Sequence, residues 1–252
     1  MKFEQHHAPH VLTQWAQLGA IFDVAPLGET PDVERLLLET ARHLPHNPRL
    51  LSLPATWLVE FAFCVAKLRL AHLAEHELET EHLGPLGLLL ESAQEAMGDE
   101  PFRDAIDVCA ARLERADPEP RPLFALSRRR SALAALAEKH ASPVSQRWRH
   151  WAQPVELRPE AVRSPRWVMA RNPELQRRAD LLGDLRCSII ETLRHDPEAG
   201  RSAMELQRRC HLRSYPPVLN ALKQLERSGT IERIVEGASK RIRLLGAVAP
   251  AL

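Results

Sequence analysis

Apolar residues recur at helical spacing through most of the chain, in segments that end at prolines. This pattern predicts helices over 32–44, 54–78, 86–97, 101–115, 128–141 and 173–182. The segment 54–78 is apolar nearly all round in its first half, which indicates a central, buried helix. Proline is abundant (20) and glycine is scarce (10), so we expect most turns to form where a proline ends a helix.

The last third of the chain has the clearest pattern. One apolar stripe predicts a helix; it comprises Leu182, Leu185, Ile189 and Leu193, with Ile190 beside it. A second helix is predicted to begin at Ser202, because Glu205 follows three residues later as in a capping box. Its apolar positions are Ala203, Leu206 and Cys210.

A third helix and a β-hairpin follow. The helix is expected to face inward through Val218, Ala221, Leu222 and Leu225, and Gly229 stands where a helix-terminating glycine belongs. The segments 230–235 and 240–245 predict two short strands, in which Ile242 and Leu244 alternate with Arg241 and Arg243. Three helices and a hairpin in this order predict a winged helix-turn-helix.

The third helix is predicted to open with two prolines, Pro216 and Pro217. The first turn of a helix has no internal use for its N–H groups, so these prolines fix φ at no cost in helical hydrogen bonds. They also remove the donors that Ser214 would cap. Contacts at this end must therefore come from side chains, and Tyr215 stands there.

The outer face of this helix carries Asn220, Lys223, Gln224 and Arg227 at helical spacing. Such side chains hydrogen-bond base edges and contact phosphates, whereas the alternative is an ordinary solvated face. We predict a DNA-binding surface that consists of Arg213, Ser214, Tyr215, Asn220, Lys223, Gln224, Arg227, Arg233, Lys240, Arg241 and Arg243.

The stretch 214–233, SYPPVLNALKQLERSGTIER, resembles the recognition helix of winged-helix bacterial regulators of the ArsR and MarR kind. Those proteins have a Ser, a Pro two positions later, an apolar residue, and then L..LE..G.I leading into the wing. The resemblance covers about residues 180–246, and it implies docking of the third helix in the major groove, wing contacts to the flanking backbone, and a dimer. The cysteine pair of metal-sensing relatives is missing, since the second helix has only Cys210 beside His211.

Charge divides the chain. Residues 1–120 carry 9 Lys and Arg against 20 Asp and Glu, and residues 121–252 carry 25 against 13. The linker 117–122 lies where the sign changes. The basic run 126–151 has two interpretations: it extends a phosphate-contacting surface, or it complements the acidic first half. Trp148 and Trp151, three residues apart on one predicted helical face, are interpreted as core or interface anchors.

Other chemistry has weaker support. Residues 72–76, HLAEH, match the inverted zinc-peptidase pattern, but the acidic surroundings favour a solvated helix end. The histidine cluster at 4–10 is interpreted as a flexible segment. The four cysteines are widely spaced, which favours reduced, buried thiols. We expect no enzyme activity, no cofactor and no metal.

We therefore predict a mainly α protein with a helical N-terminal domain and a C-terminal winged helix. Its parts are an acidic helical domain (1–120) for dimerisation, sensing or partner binding, a basic connecting region (121–170), the DNA-binding domain (171–246) and a tail (247–252). The predicted function is sequence-specific binding of double-stranded DNA in transcriptional regulation. The alternative is a protein-interaction or assembly factor, as in toxin–antitoxin or phage-defence systems.

Partners and location follow from the same observations. We expect a homodimer on double-stranded DNA, with a protein partner or a small effector at the N-terminal domain. The first ten residues lack a signal-peptide pattern and no apolar run is long enough to cross a bilayer, so we expect a cytoplasmic protein without membrane contact.

Overall fold

The computed structural model describes residues 9–236 and 239–245. The histidine cluster, except for its last two residues, the centre of the predicted hairpin turn and the tail lie outside the described residues. Within them the chain is mainly helical, with a small antiparallel two-stranded sheet near the C-terminus, which confirms the predicted fold class at this coarse level.

Six helices build most of the first core. They are α1 (Pro9–Gln17), α2 (Val33–His43), α3 (Arg49–Phe61), α4 (Lys67–His76), α5 (Thr80–Met97) and α6 (Arg103–Ala116). Trp15 and Trp57 meet edge to face at 5.5 Å in this core. The Trp57 indole N–H donates to the Leu18 carbonyl at 2.9 Å and that of Trp15 donates to the Thr40 hydroxyl at 2.8 Å. Both aromatic side chains are thus buried with their polar atoms satisfied.

The predicted single helix 54–78 is wrong, because the chain forms α3 and α4 with a break between them. A short 3₁₀ turn (Ala62–Cys64) ends α3, and Val65 is extended. The Ala66 N–H at the start of α4 donates to the Glu34 carboxylate of α2 at 2.8 Å. A distant side chain therefore satisfies a backbone donor that the break leaves without a helical partner.

The next part of the chain packs on the first core. Its elements are β1 (Arg121–Pro122), α7 (Ala125–Arg128), α8 (Ser131–Lys139), α9 (Pro143–Arg147), β2 (His150–Trp151) and α10 (Pro165–Arg171), and β1 pairs with β2 in parallel. The Trp148 ring lies against Gly87 of α5, where a Cβ would come within 2.2 Å of it. Its indole N–H donates to Glu91 at 2.5 Å. Trp148 is thus a core anchor, as predicted.

The helix predicted over 128–141 corresponds to α8, which begins only at Ser131 because the chain turns at Arg129 and Arg130. One expectation for this part is wrong. Trp148 and Trp151 do not share a helical face, since α9 ends at Arg147 and Trp151 lies in β2.

The second core belongs to the C-terminal part. Its elements are α12 (Leu185–His195), α13 (Ala203–Arg209), α14 (Pro216–Arg227), β3 (Ile231–Glu236) and β4 (Ser239–Leu244), and β3 pairs with β4 in antiparallel register. Helix α11 (Pro173–Asp180) precedes them and buries Leu175 in the first core. Ile189, Leu206, Leu222 and Ile242 are buried together. Leu182 is wrongly predicted, since it lies in a turn before α12 with a side chain that is 68% exposed.

The capping box at the start of α13 forms only in part. The Ser202 hydroxyl accepts from the Glu205 N–H at 3.1 Å, as expected. The Glu205 carboxylate does not return to the Ser202 backbone, because it binds Arg208 and Arg209. These two arginines lower the pKa of Glu205 to about 2.

A buried ionic network joins the two cores. Glu34 in α2 accepts from Arg69 of α4 at 2.8 Å and from Arg178 of α11 at 2.7 Å, and Arg178 also binds Glu191 of α12 at 2.6 Å. All four side chains are almost fully buried. Burial opposes ionisation of Glu191, but the charges of Arg178 and Arg194 and the contact with His195 together outweigh it, and the pKa falls to about 2. Buried charges of this kind are tolerated because each has a hydrogen-bonded partner.

The four cysteines are free and buried, which confirms that expectation. Burial raises the pKa of Cys64 to about 12, so this thiol stays protonated. None of the helices in the described ranges has the length and hydropathy needed to cross a membrane.

Candidate nucleic-acid interface

Helix α14 has one buried face and one exposed face. Val218, Ala221, Leu222 and Leu225 are buried in the second core, as the spacing predicts. The opposite face exposes the four predicted DNA-binding residues Asn220, Lys223, Gln224 and Arg227. The structure therefore brings together two amides and two cations along one side of a helix that is fixed from behind.

The start of α14 follows the proline prediction. Pro216 and Pro217 are the first two helical residues, and Tyr215 precedes them at the N-cap without a side-chain cap. The Val218 N–H donates to the Tyr215 carbonyl at 3.1 Å, so the first available donor is already used. Ser214 and Arg213 are exposed on the preceding turn. This end of the helix thus presents side chains rather than backbone donors.

The end of α14 leads directly into the hairpin. Gly229 has φ +67°, a left-handed conformation that favours glycine, and the Thr230 N–H donates to the Leu225 carbonyl at 2.9 Å. This arrangement closes the helix and starts β3 one residue later. The hairpin is consequently attached to the C-terminal end of α14.

The predicted cations of the hairpin do not share one environment. Arg233 is mostly covered, and its guanidinium lies 3.3 Å from the Glu226 carboxylate at the end of α14. Arg241 binds Glu198 at 2.8 Å. Lys240 and Arg243 are exposed. Arg233 and Arg241 are thus partly neutralised by carboxylates on neighbouring elements.

The sequence prediction missed two cations near α14. Arg177 of α11 and Arg186 of α12 line a hollow of about 230 Å³ together with Gln224. Arg177 is exposed, whereas Arg186 binds Asp184 at 2.7 Å. Both extend the basic surface beside the middle of α14. Their spacing within their own helices contains no signal for this, because only the packing brings them to Gln224.

The basic run 126–151 meets the acidic half at several points. Arg147 binds Glu91 at 2.7 Å and Glu95 at 3.2 Å on α5, and Arg149 binds Asp117 at 2.8 Å. For these two arginines the structure supports the interpretation that they complement the acidic first half. The remaining exposed cations of the run are Arg128, Arg129, Arg130 and Lys139, of which Arg128 donates to the Pro122 and Leu123 carbonyls.

The HLAEH pattern lies at the end of α4. His72 is buried, whereas His76 is about half exposed and Glu75 binds His211 of the C-terminal part at 3.0 Å. Within residues 9–236 and 239–245, no group of three or more His, Cys, Asp or Glu side chains is arranged to hold a metal ion.

Comparison with known proteins finds no match. No protein-family model matches the chain, and no curated protein or solved structure is significantly similar to it. The resemblance of residues 214–233 to winged-helix regulators stays a prediction from the sequence. The structure itself shows a helix, α14, that packs on the second core with one face and exposes a polar, basic face beside a hairpin.

Proposed function

We propose that the chain is a sequence-specific double-stranded-DNA-binding protein that acts in transcriptional regulation. In this proposal α12, α13, α14 and the hairpin are a winged helix-turn-helix, and α14 enters the major groove. One observation carries it: α14 is buried on one face and exposes Asn220, Lys223, Gln224 and Arg227 on the other. Amides at this position make paired hydrogen bonds with adenine edges, and the cations contact guanine or phosphate.

The hairpin supports the same proposal. Arg243 pairs with Glu232 at the end of the hairpin near α14, and Lys240 pairs with Val235 near its tip; both are exposed on the element that serves as a wing contacting the flanking backbone. Residues 1–120, which carry 20 Asp and Glu against 9 Lys and Arg, are poorly suited to phosphate, and we propose that this part provides dimerisation or sensing. A homodimer would contact two half-sites about 34–36 Å apart.

A gel-shift titration with the DNA upstream of the protein's own gene tests the proposal. We expect a discrete complex with this DNA and weaker binding to random DNA of equal length. With about six phosphate contacts, the logarithm of the affinity should fall against the logarithm of the salt concentration with a slope near −5. Absence of binding at low salt, or a slope near zero, would contradict the proposal.

A protein-assembly role is the second candidate, and exposed apolar side chains in the C-terminal part favour it. Met204 on α13 is 70% exposed and Val235 on β3 is 69% exposed. A protein that binds no DNA at low salt but self-associates in sedimentation experiments, with the association lost in Met204→Ser, would support this role over DNA binding.

A further inference from the structure

A polar cavity of about 270 Å³ lies between the two cores. Helices α2 and α4 form one side, and α12 and α13 form the other. Its polar lining consists of three arginines, two histidines, one threonine and two carboxylates, namely Arg35, Arg69, Arg209, His72, His195, Thr192, Glu77 and Asp196. This volume is slightly below the range of about 300–1,000 Å³ that is common for small-molecule sites in proteins, so only a small ligand fits.

His72 is the least satisfied polar group of this lining. Its side chain is only 6% exposed, and within the described part of the chain its Nδ1 atom has no hydrogen-bond partner. The rings of His72 and His76 lie 4.4 Å apart, so His76 packs against His72 without bonding Nδ1. Buried polar atoms in proteins almost always have a partner, which is a bound molecule where the protein supplies none.

The charges around His72 favour an anion. Burial, followed by the charges of His76 and Arg209, lowers the pKa of His72 to about 3, and the charges of Arg208 and His211 act in the same direction. The ring is therefore neutral at pH 7. The lining also contains three arginines against the two carboxylates Glu77 and Asp196, and this excess of positive charge favours an anion over a cation in the cavity.

The arginines of the lining retain donors for a ligand. Arg209 donates through Nε to Glu205 at 2.9 Å and its Nη1 lies 2.7 Å from Asp196. Arg35 binds both oxygens of Glu77, through Nη1 at 2.8 Å and Nη2 at 3.0 Å, and its Nε lies 3.5 Å from Asp32. A guanidinium has five N–H donors, so these contacts leave N–H groups on both residues. Arg35 and Arg209 belong to opposite sides of the cavity.

We propose that this cavity binds a small oxyanion, in the form of a carboxylate or phosphate group, through Arg35, Arg209 and His72. The ligand contacts both cores at once, and it therefore stabilises the arrangement in which they are packed. This position also suits an effector that changes DNA affinity; that consequence alone rests on the proposed function.

Isothermal titration calorimetry of the full-length protein tests the site without DNA. The two probes are sodium phosphate and sodium succinate, each compared with sodium chloride at equal ionic strength. We expect saturable binding of one site per chain for at least one probe. Phosphate alone would identify a phosphate group as the ligand, and succinate alone would identify a carboxylate. Lack of saturable binding of both probes up to about 10 mM would overturn the proposal.

Matched arginine variants locate the binding. Arg209→Gln should weaken it about tenfold, as expected for one charge-assisted hydrogen bond, and Arg35→Gln should do the same from the other core. Arg208→Gln is the control, because Arg208 also binds Glu205 but does not line the cavity. It should change the affinity less than about twofold. Equal losses in Arg208→Gln and Arg209→Gln, or no loss in either cavity variant, would overturn the proposal. The DNA gel shift is a separate measurement, so the two proposals can fail independently.

Discussion

Two basic stretches of this protein, 126–151 and 213–243, have similar composition but different surroundings. In the first, Arg147 and Arg149 bind carboxylates of the acidic half. In the second, Lys223 and Arg227 extend from α14 into solvent. A count of cations along the sequence treats the stretches alike. The difference shows that a basic segment becomes a candidate for an anionic partner only where the fold leaves its charges exposed.

The largest expected effect concerns the buried ionic network that joins the two cores, outside both stretches. Arg178→Met leaves Glu191 and part of Glu34 buried without their partner, and it should lower the free energy of unfolding by about 3–5 kcal/mol. Urea unfolding of the full chain measures this. Arg177→Met is the matched control, since the neighbouring arginine is exposed, and it should cost less than about 0.5 kcal/mol. Equal costs for both variants would contradict the role of the network.

The amides of α14, in the second stretch, test whether this surface reads DNA sequence. Asn220→Ala or Gln224→Ala should cost about 1–3 kcal/mol of binding to the upstream DNA and little for random DNA, because amides contact base edges. Gel-shift affinities for both DNAs measure the difference. Gln146→Ala, in the first stretch, is the control and should change neither. An equal loss on both DNAs would show that the amides do not read sequence.

Two buried histidines make stability depend on pH. Burial is the main cause that lowers the pKa of His72 to about 3 and that of His150 to about 4. Both rings are neutral in the folded protein, whereas in the unfolded chain they take up a proton near pH 6.5. The stability that each neutral ring contributes is therefore fully present above about pH 6.5. It is lost as the pH falls towards the pKa of that histidine in the folded protein.

Between pH 6.5 and pH 5 we expect the free energy of unfolding to fall by about 1–2 kcal/mol for each of these histidines. Urea unfolding at the two pH values measures it. His150→Asn removes one titrating group from the first stretch. Between pH 6.5 and pH 5 the free energy of unfolding of this variant should therefore fall by about 1–2 kcal/mol less than that of the unsubstituted protein. An undiminished loss in this variant would mean that His150 does not contribute.

The smallest effects are expected when a single cation in either stretch is replaced by glutamine. Lys223→Gln or Arg227→Gln should weaken binding to all DNA sequences and flatten the salt slope by about one unit each. Arg147→Gln should leave DNA binding unchanged and cost at most about 1 kcal/mol of stability, as is usual for exposed ion pairs. If Arg147→Gln flattened the slope as much as Lys223→Gln, the distinction between the two stretches would fail.

Local pattern was sufficient to predict α14 and its surroundings. The helical spacing predicted its buried residues, the prolines its start and Gly229 its end. The break between α3 and α4 could not be predicted in this way, because apolar residues continue through it and its stabilising partner is Glu34, 32 residues earlier. Leu182 was misassigned for a similar reason. The adjoining Gly183 lies so close to the Val65 carbonyl that a Cβ would come within 2.4 Å of it.

The candidate interface was predicted less completely than the fold around it. Periodicity predicted which residues of α14 share a face, since that depends on the helix alone. It did not predict that Glu198 binds Arg241, or that Arg177 lies beside Gln224, because these residues belong to different elements. Which cations are neutralised depends on tertiary packing, and the sequence contains no local signal of it.

The buried network also bears on how this chain can be recombined in evolution or in engineering. DNA-binding modules are often exchanged between proteins at a linker, with each piece keeping its own core. Here a cut at residue 171 would carry Arg178 and Glu191 away from Glu34, and each fragment would keep a charge that evolved for burial opposite its partner. A chimera built on this C-terminal part must therefore transplant the facing side of α2 and α4 or redesign Arg178.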